Sequence, residues 1–257
     1  MAGGVVAAGF GTLSPLTFCG VANDGPPVSG RPLTGALGAN ASVQLNVDCG
    51  TLTATAQPGS GWSIDWPTGA GSDPQVTQPS DARLRVEFSR QRTFAIGEPA
   101  ARWTMLFPAD PATSLVVSVN AGSARLALGS AHVTSLDASV NAGDAVIDLG
   151  EAVGTTSVTG SANAGSLTVT LPSPASTLTG TLSANVGSVR ICAPAGVPLR
   201  IRVGDQPLGS TNFGDRGLSR SGDTWTRGVW STATTGIDLV VSANLGSITL
   251  DPEDGCG

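Results

Sequence analysis

The chain has no lysine and no tyrosine, and only 12% of its 257 residues are charged. That poverty in charge is not the signature of disorder, because 40% of the residues are hydrophobic. It fits narrow coils with small outward residues. The net charge is −6 and no basic cluster exists. A nucleic-acid partner and an anionic-lipid surface are therefore excluded, since both need Lys and Arg to displace counterions. The single histidine, His132, falls between two repeats and reads as a solvated loop residue. There is no acidic cluster, no Gly-x-Ser-x-Gly elbow and no phosphate-cradling loop, so no catalytic residues are assigned. The four cysteines contain no Cys-x-x-Cys, and neither a zinc site nor any other cofactor is read.

What is present is repetition. Ser-Val-Asn120-Ala-Gly122 recurs around Asn141, Asn163, Asn185 and Asn244, and the first four asparagines are 21, 22 and 22 residues apart. Each phrase joins two runs of alternating apolar residues, such as Leu115, Val117 and Val119 before Asn120, then Ala124, Leu126 and Leu128 after Gly122. Period-two alternation marks a strand with one buried face. A fixed period near 22 marks stacked repeats. The expected fold is all-β, a β-solenoid with irregular capping segments. At the turns Gly is expected to supply a positive φ, which Asn also tolerates. Asp48 takes the Asn place in an earlier coil, and Pro207-Leu208-Gly209 lies one period beyond Asn185-Val186-Gly187, where a parity slip predicts a bulge. Seven coils at about 4.8 Å each predict a rod roughly 30 Å long. Asp48, Asn120, Asn141, Asn163, Asn185 and Asn244 would form a structural turn ladder, because buried turn amides need partners.

The rest of the chain is less regular. Residues 1–35 read as a lead-in segment and 36–257 as the solenoid, with an insertion or cap at 214–236. Residues 57–83 read as loop. Leu84, Val86 and Phe88 mark one strand, and Arg102 to Phe107 another. Met1 to Phe18 carry no charge; they read either as the tail of a membrane anchor that begins upstream or as a capping terminus. The cysteines read either as two disulfides of an oxidising compartment, with three pairings open, or as four small buried hydrophobes.

Several groups were weighed for chemistry. Asp144 and Asp148 share an outer face with Arg125 and Arg190, and surface charge pairing is preferred over acid–base work or Ca²⁺. Outward Thr-x-Thr pairs are interrupted by Arg125, Val146 and Arg190, which argues against an ice-binding face. Trp62 and Trp66 could form one partner or glycan patch, and Arg220, Trp225, Arg227 and Trp230 another, but buried cap residues are the preferred reading of each, since Trp carries a large apolar load.

One run resembles a known family. Arg102-Trp103-Thr104-Met105-Leu106-Phe107-Pro108, the strand into Asn120-Ala121-Gly122, and the later Ala195-Gly196-Val197-Pro198-Leu199-Arg200-Ile201 resemble the toast-rack, adhesin-like domains of bacteria. So do Ser221-Gly222-Asp223-Thr224-Trp225 and the final stretch from Ile237 to Leu250. These domains are similar to the C-terminal domains of cell-wall-stress regulators. The resemblance, over roughly residues 36–250, implies a β-solenoid-like fold at the cell envelope, without enzymatic activity or catalytic residues. The expected role is a non-enzymatic, adhesin-like scaffold or interaction module, with a membrane protein or a cell-surface glycan as the partner. A regulatory domain in envelope stress and a glycan-active solenoid are the alternatives.

Overall fold

The computed structural model describes residues 32–66, 73–88, 101–204, 208–230, 235–251 and 256. Every regular element among them is a strand. Two sheets, of ten and eleven strands, face each other across one core. Each coil gives one arm to each sheet, and neighbouring coils pair in parallel. Leu136, for example, lies between Leu115 and Val158, and Ile147 lies between Leu126 and Val169. The alternation read in the sequence is what the burial shows: Leu115, Val117 and Val119 are buried while Ser114, Val116 and Ser118 are half-exposed.

Among the described residues eight coils are stacked, not seven. The extra one joins Arg83–Phe88 to Arg102–Pro108 and is outermost at one end. In the sequence those arms look like separate strands because residues 89–100 between them lack the turn phrase. Next comes the Asp48 coil (Ala41–Val47, Thr51–Gln57). The Asn120 coil (Thr113–Val119, Ser123–Ala127) and the Asn141 coil (Val133–Val140, Asp144–Asp148) follow. The Asn163 coil (Ser157–Ala162, Ser166–Thr170) and the Asn185 coil (Leu178–Ala184, Ser188–Cys192) continue the stack.

At both ends the spatial order departs from chain order. The Asp48 coil, first in sequence, is held between the outermost coil and the Asn120 coil. The Asn244 coil (Ile237–Ala243, Ser247–Leu250), last in sequence, is held between the Asn185 coil and the Leu208 coil (Leu199–Val203, Ser210–Thr211). Leu208 and Gly209 therefore stack on the Asn244 coil, not on the Asn185 coil as the sequence period suggested. The parity slip there is real. Val203 faces Val241 whereas Ser210 faces Ser247, so the outer coil carries one residue more at its turn.

Antiparallel strands cover the two ends. Gly61–Asp65 pairs with Arg102–Pro108, and Leu33–Ala36 pairs with Gly61–Asp65. Gln75–Ser80 covers the other arm of the same coil. Within the stretch read as loop, Gly61–Asp65 and Gln75–Ser80 are therefore cap strands, and Leu33–Ala36 belongs to the sheet. At the opposite end Thr224–Arg227 pairs with Leu199–Val203, and Ser219–Ser221 pairs with Thr224–Arg227. Switching from parallel to antiparallel lets a short hairpin close each stack. Residues 1–31, with the lead-in and anchor readings, lie outside the described residues.

Candidate functional site

The repeated turns form one continuous edge. Ala121, Ala142, Ala164, Val186, Leu245 and Leu208 each donate their N–H to the carbonyl of the Asp or Asn one coil back. Beside this backbone column runs a side-chain ladder. Asn120 Nδ2 donates to Asp48 Oδ1 (2.6 Å), Asn141 to Asn120 Oδ1 (2.7 Å) and Asn163 to Asn141 Oδ1 (2.7 Å). Asn244 likewise donates to Asn185 Oδ1 at 3.1 Å. From Asp48 to Asn163 the amides point the same way, so these three bonds reinforce one another, while the Asn244–Asn185 bond forms a separate rung. Asp48 accepts at the head, where a carboxylate strengthens the first bond by its charge. The amides are exposed, which corrects the expectation of buried ones. The expected effect of Asn163→Ala is accordingly small, about 1 kcal/mol in urea unfolding, because water replaces lost partners at an exposed site.

The turn glycines also serve a different purpose from the one expected. Positive φ occurs at Gly50 but not at Gly122, Gly143, Gly165, Gly187 or Gly246. Instead, a Cβ at Gly143 would overlap the carbonyl oxygen of Gly122, and the same holds at Gly165, Gly187 and Gly246 with the glycine one coil back. Glycine is required because stacked backbones approach closely here.

The two aromatic patches lie at opposite ends of the stack. Trp62 is buried at 4% exposure and donates through Nε1 to Gln78 Oε1 at 3.2 Å. It seals the cap and presents no face to a sugar. Trp66 is half-buried and donates to Asp73 Oδ1 at 2.8 Å. At the far end Trp225 is half-buried, edge-on to Phe213 at 6.0 Å, with the Arg220 guanidinium 5.4 Å from its ring centre. Arg227 binds Asp251 at 2.9 Å and the Pro194 carbonyl at 3.0 Å.

Three residues there were not singled out from the sequence. Asp238 is 8% exposed and accepts from Arg200 Nε at 3.0 Å and Nη2 at 2.5 Å, and from Arg202 at 3.2 Å. Arg200 also lies over the Trp230 ring, 4.7 Å from its centre. The hydrogen bond that Arg200 donates to Asp238 raises the Arg200 pKa above its already high ordinary value, against an opposing desolvation, so Arg200 stays a cation. Strand Leu199–Val203 opposes Arg200 directly to Asp238. Only the out-of-order stacking of the last coil brings them together, and no sequence spacing announces it.

The other weighed groups separate. Asp144 accepts from Ser166 Oγ at 2.6 Å, and Asp148 accepts from the Gly150 N–H at 2.8 Å. Among the described residues neither pairs with Arg125 or Arg190, which corrects the charge-pairing reading. The outward column runs Thr104, Thr53, Arg125, Val146, Thr168, Arg190 and Thr249, interrupted as read. His132 is half-buried, its ring against Gly154. Among the described residues no three His, Cys, Asp or Glu side chains gather to hold a metal. No helix among them is long and apolar enough to cross a membrane. The cysteines are paired rather than separate buried thiols: Cys192 bonds Cys256, and Cys49 is disulfide-bonded too.

Residues 37–170 match the N-terminal domain of toast_rack, DUF2154. The chain belongs to the toast_rack family. The match starts beside the first cap strand and ends with the Asn163 coil, so it spans the part where one turn phrase follows another. Among solved structures, this toast_rack chain is similar to a candidate cell adhesion protein from Clostridium sporogenes ATCC 15579. The TM-score is 0.58 at 13% identity, over 86% of this chain and 98% of that one. At that identity the likeness is one of fold. A candidate adhesin from Bacteroides fragilis NCTC 9343 aligns over 85% of this chain and 95% of its own, at 11% identity and a TM-score of 0.30. No curated protein matches the sequence.

Proposed function

We propose that this toast_rack chain is a non-enzymatic interaction module of the bacterial cell envelope, working on the extracytoplasmic side. The observation that carries the reading is the cross-linking of the stack. Cys192 is tied to Cys256, and Cys49 is also bonded. Such bonds persist in oxidising compartments and are reduced in most cytosols. The family and the fold shared with a candidate cell adhesion protein support the same reading. A stiff stack of parallel coils suits holding a surface at a fixed place; its partner would be an envelope protein or a surface glycan.

Two measurements test this. Cells of the source bacterium expressing the protein from its own gene are quenched in acid, and free thiols are tagged with a mass-shifting maleimide. Both disulfides are expected to be intact, leaving no tag without reductant. Four tags would place the chain in a reducing compartment and overturn the proposal. Purified protein is then mixed with envelope fragments from the same bacterium and sedimented. Saturable co-sedimentation is expected, and none at micromolar concentration would remove the interaction role.

A further inference from the structure

One carboxylate faces two guanidiniums where the Leu208 and Asn244 coils meet. The Arg200–Asp238–Arg202 cluster therefore keeps one uncompensated positive charge, in a chain whose net charge is −6. The two arginines are not equivalent. Arg200 gives Nε and Nη2 to the two Asp238 oxygens, and its guanidinium lies over the Trp230 ring. That pair alone neutralises Asp238. Arg202 gives only Nη2, at 3.2 Å, and its side chain is 51% exposed. Among the described residues its Nε and Nη1 donors have no partner. Nη2 carries a second hydrogen, so one two-pronged edge of the fork stays open whichever hydrogen Asp238 takes.

The surroundings are hydroxyls. On the outward face of the sheet Thr226 lies opposite Arg200 and Thr224 opposite Arg202, with Ser219 and Ser221 beyond them. On the other side Thr179 lies opposite Asp238, and Thr181 lies opposite Val240. Arg220 and Arg227 alternate onto the opposite face with Trp225. Among the described residues, no other outward position of these strands is charged.

This arrangement selects a ligand chemistry. A guanidinium fixed by a nearly buried carboxylate, with one edge free, matches a second carboxylate through two parallel hydrogen bonds. The flanking threonines match hydroxyls. One uncompensated charge is too few to displace the counterions of a nucleic acid or to hold an anionic bilayer. A protein partner would bury an apolar centre, and this face offers only the half-buried Val240. Within the interaction role proposed above, on which this site depends, we propose that Arg202 anchors a carboxylate-bearing sugar of a surface glycan. Asp238 holds the Arg202 guanidinium in place, and Thr224 and Thr226 exchange hydrogen bonds with the sugar hydroxyls.

The probe is envelope material of the source bacterium stripped of protein by proteinase K. It is used intact or with its carboxyl groups reduced to alcohols by carbodiimide and borohydride. Saturable co-sedimentation with the intact glycan is expected, and reduction of the carboxyl groups should abolish it. Arg202→Gln should weaken it at least about tenfold, because a charge-assisted, two-pronged contact is lost. Arg200 still pairs with Asp238 in that variant, so the thermal midpoint should hold. Equal retention of wild type and Arg202→Gln, undiminished retention on the reduced glycan, or no retention on the stripped material would each overturn the site. In the last case, untreated fragments that still retain the chain would mean a protein partner, and the interaction role would stand. Untreated fragments that retain nothing would remove both.

Discussion

Gly143→Ala is expected to lower stability by about 3–5 kcal/mol, the range reserved for substitutions that leave packed backbone nowhere to go. The added methyl would overlap the Gly122 carbonyl oxygen and come within 3.0 Å of Val119 Cγ1. That carbonyl accepts from the Asp144 N–H at 3.1 Å, and the Gly143 carbonyl accepts from Ser166 at 2.9 Å. Relieving the clash means separating coils that these bonds hold together. The contrast is Gly196→Ala. Gly196 has φ of 78° and nothing within 4 Å of a built Cβ. Its cost is only the left-handed backbone penalty, about 1–2 kcal/mol. Urea unfolding of the two variants separates the causes. If Gly143→Ala lost no more than Gly196→Ala, close coil contact would not be the reason for the turn glycines.

The sequence exposes what repeats and hides what does not. Alternation such as Leu115, Val117, Val119 needs only a one-sided core, so the strands and inward residues could be read directly. The turn phrase gave the coil boundaries. It gave the wrong reason for the glycines, because backbone angle and backbone proximity select the same residue. The outermost coil stayed hidden because its arms, Arg83–Phe88 and Arg102–Pro108, flank a joint without Asn-x-Gly. The order of coils at the ends was not legible either. A strand's alternation states which face is buried, not which neighbour it pairs with, and Leu199–Val203 fits against the Asn185 coil as well as against the Asn244 coil. The Arg200–Asp238–Arg202 cluster depends on that order and was missed with it. Trp62 and Trp225 read as cap residues from their apolar size, but which coil end each one seals was not legible, because the sequence does not state where those ends lie.

Removing the Cys192–Cys256 bridge by the double substitution Cys192→Ala and Cys256→Ala is expected to cost about 4 kcal/mol, from a cross-link across a separation of 64 residues. The topology says where that loss falls. The chain passes from the Asn185 coil to the outer Leu208 coil, makes the cap hairpin, and returns to place the Asn244 coil between the two. The bridge joins residue 256, beyond this last coil, to the end of the Asn185 coil. Asp251 adds to the closure through Ala193 N–H at 2.8 Å and Arg227 at 2.9 Å. Without the bridge the Asn244 coil can leave its slot, and among the described residues the Leu208 coil pairs in parallel with no other coil. In a stack held by nearest-neighbour contacts, such a loss stays local. Hydrogen exchange should therefore show early loss of protection from Ile237 to Leu250 and from Leu199 to Val203. The Asn120 and Asn141 coils should keep theirs until global unfolding. Uniform loss across all coils would mean that the bridge acts only on the unfolded chain, and unchanged protection at Ile237–Leu250 would mean that the inserted coil is held by packing alone.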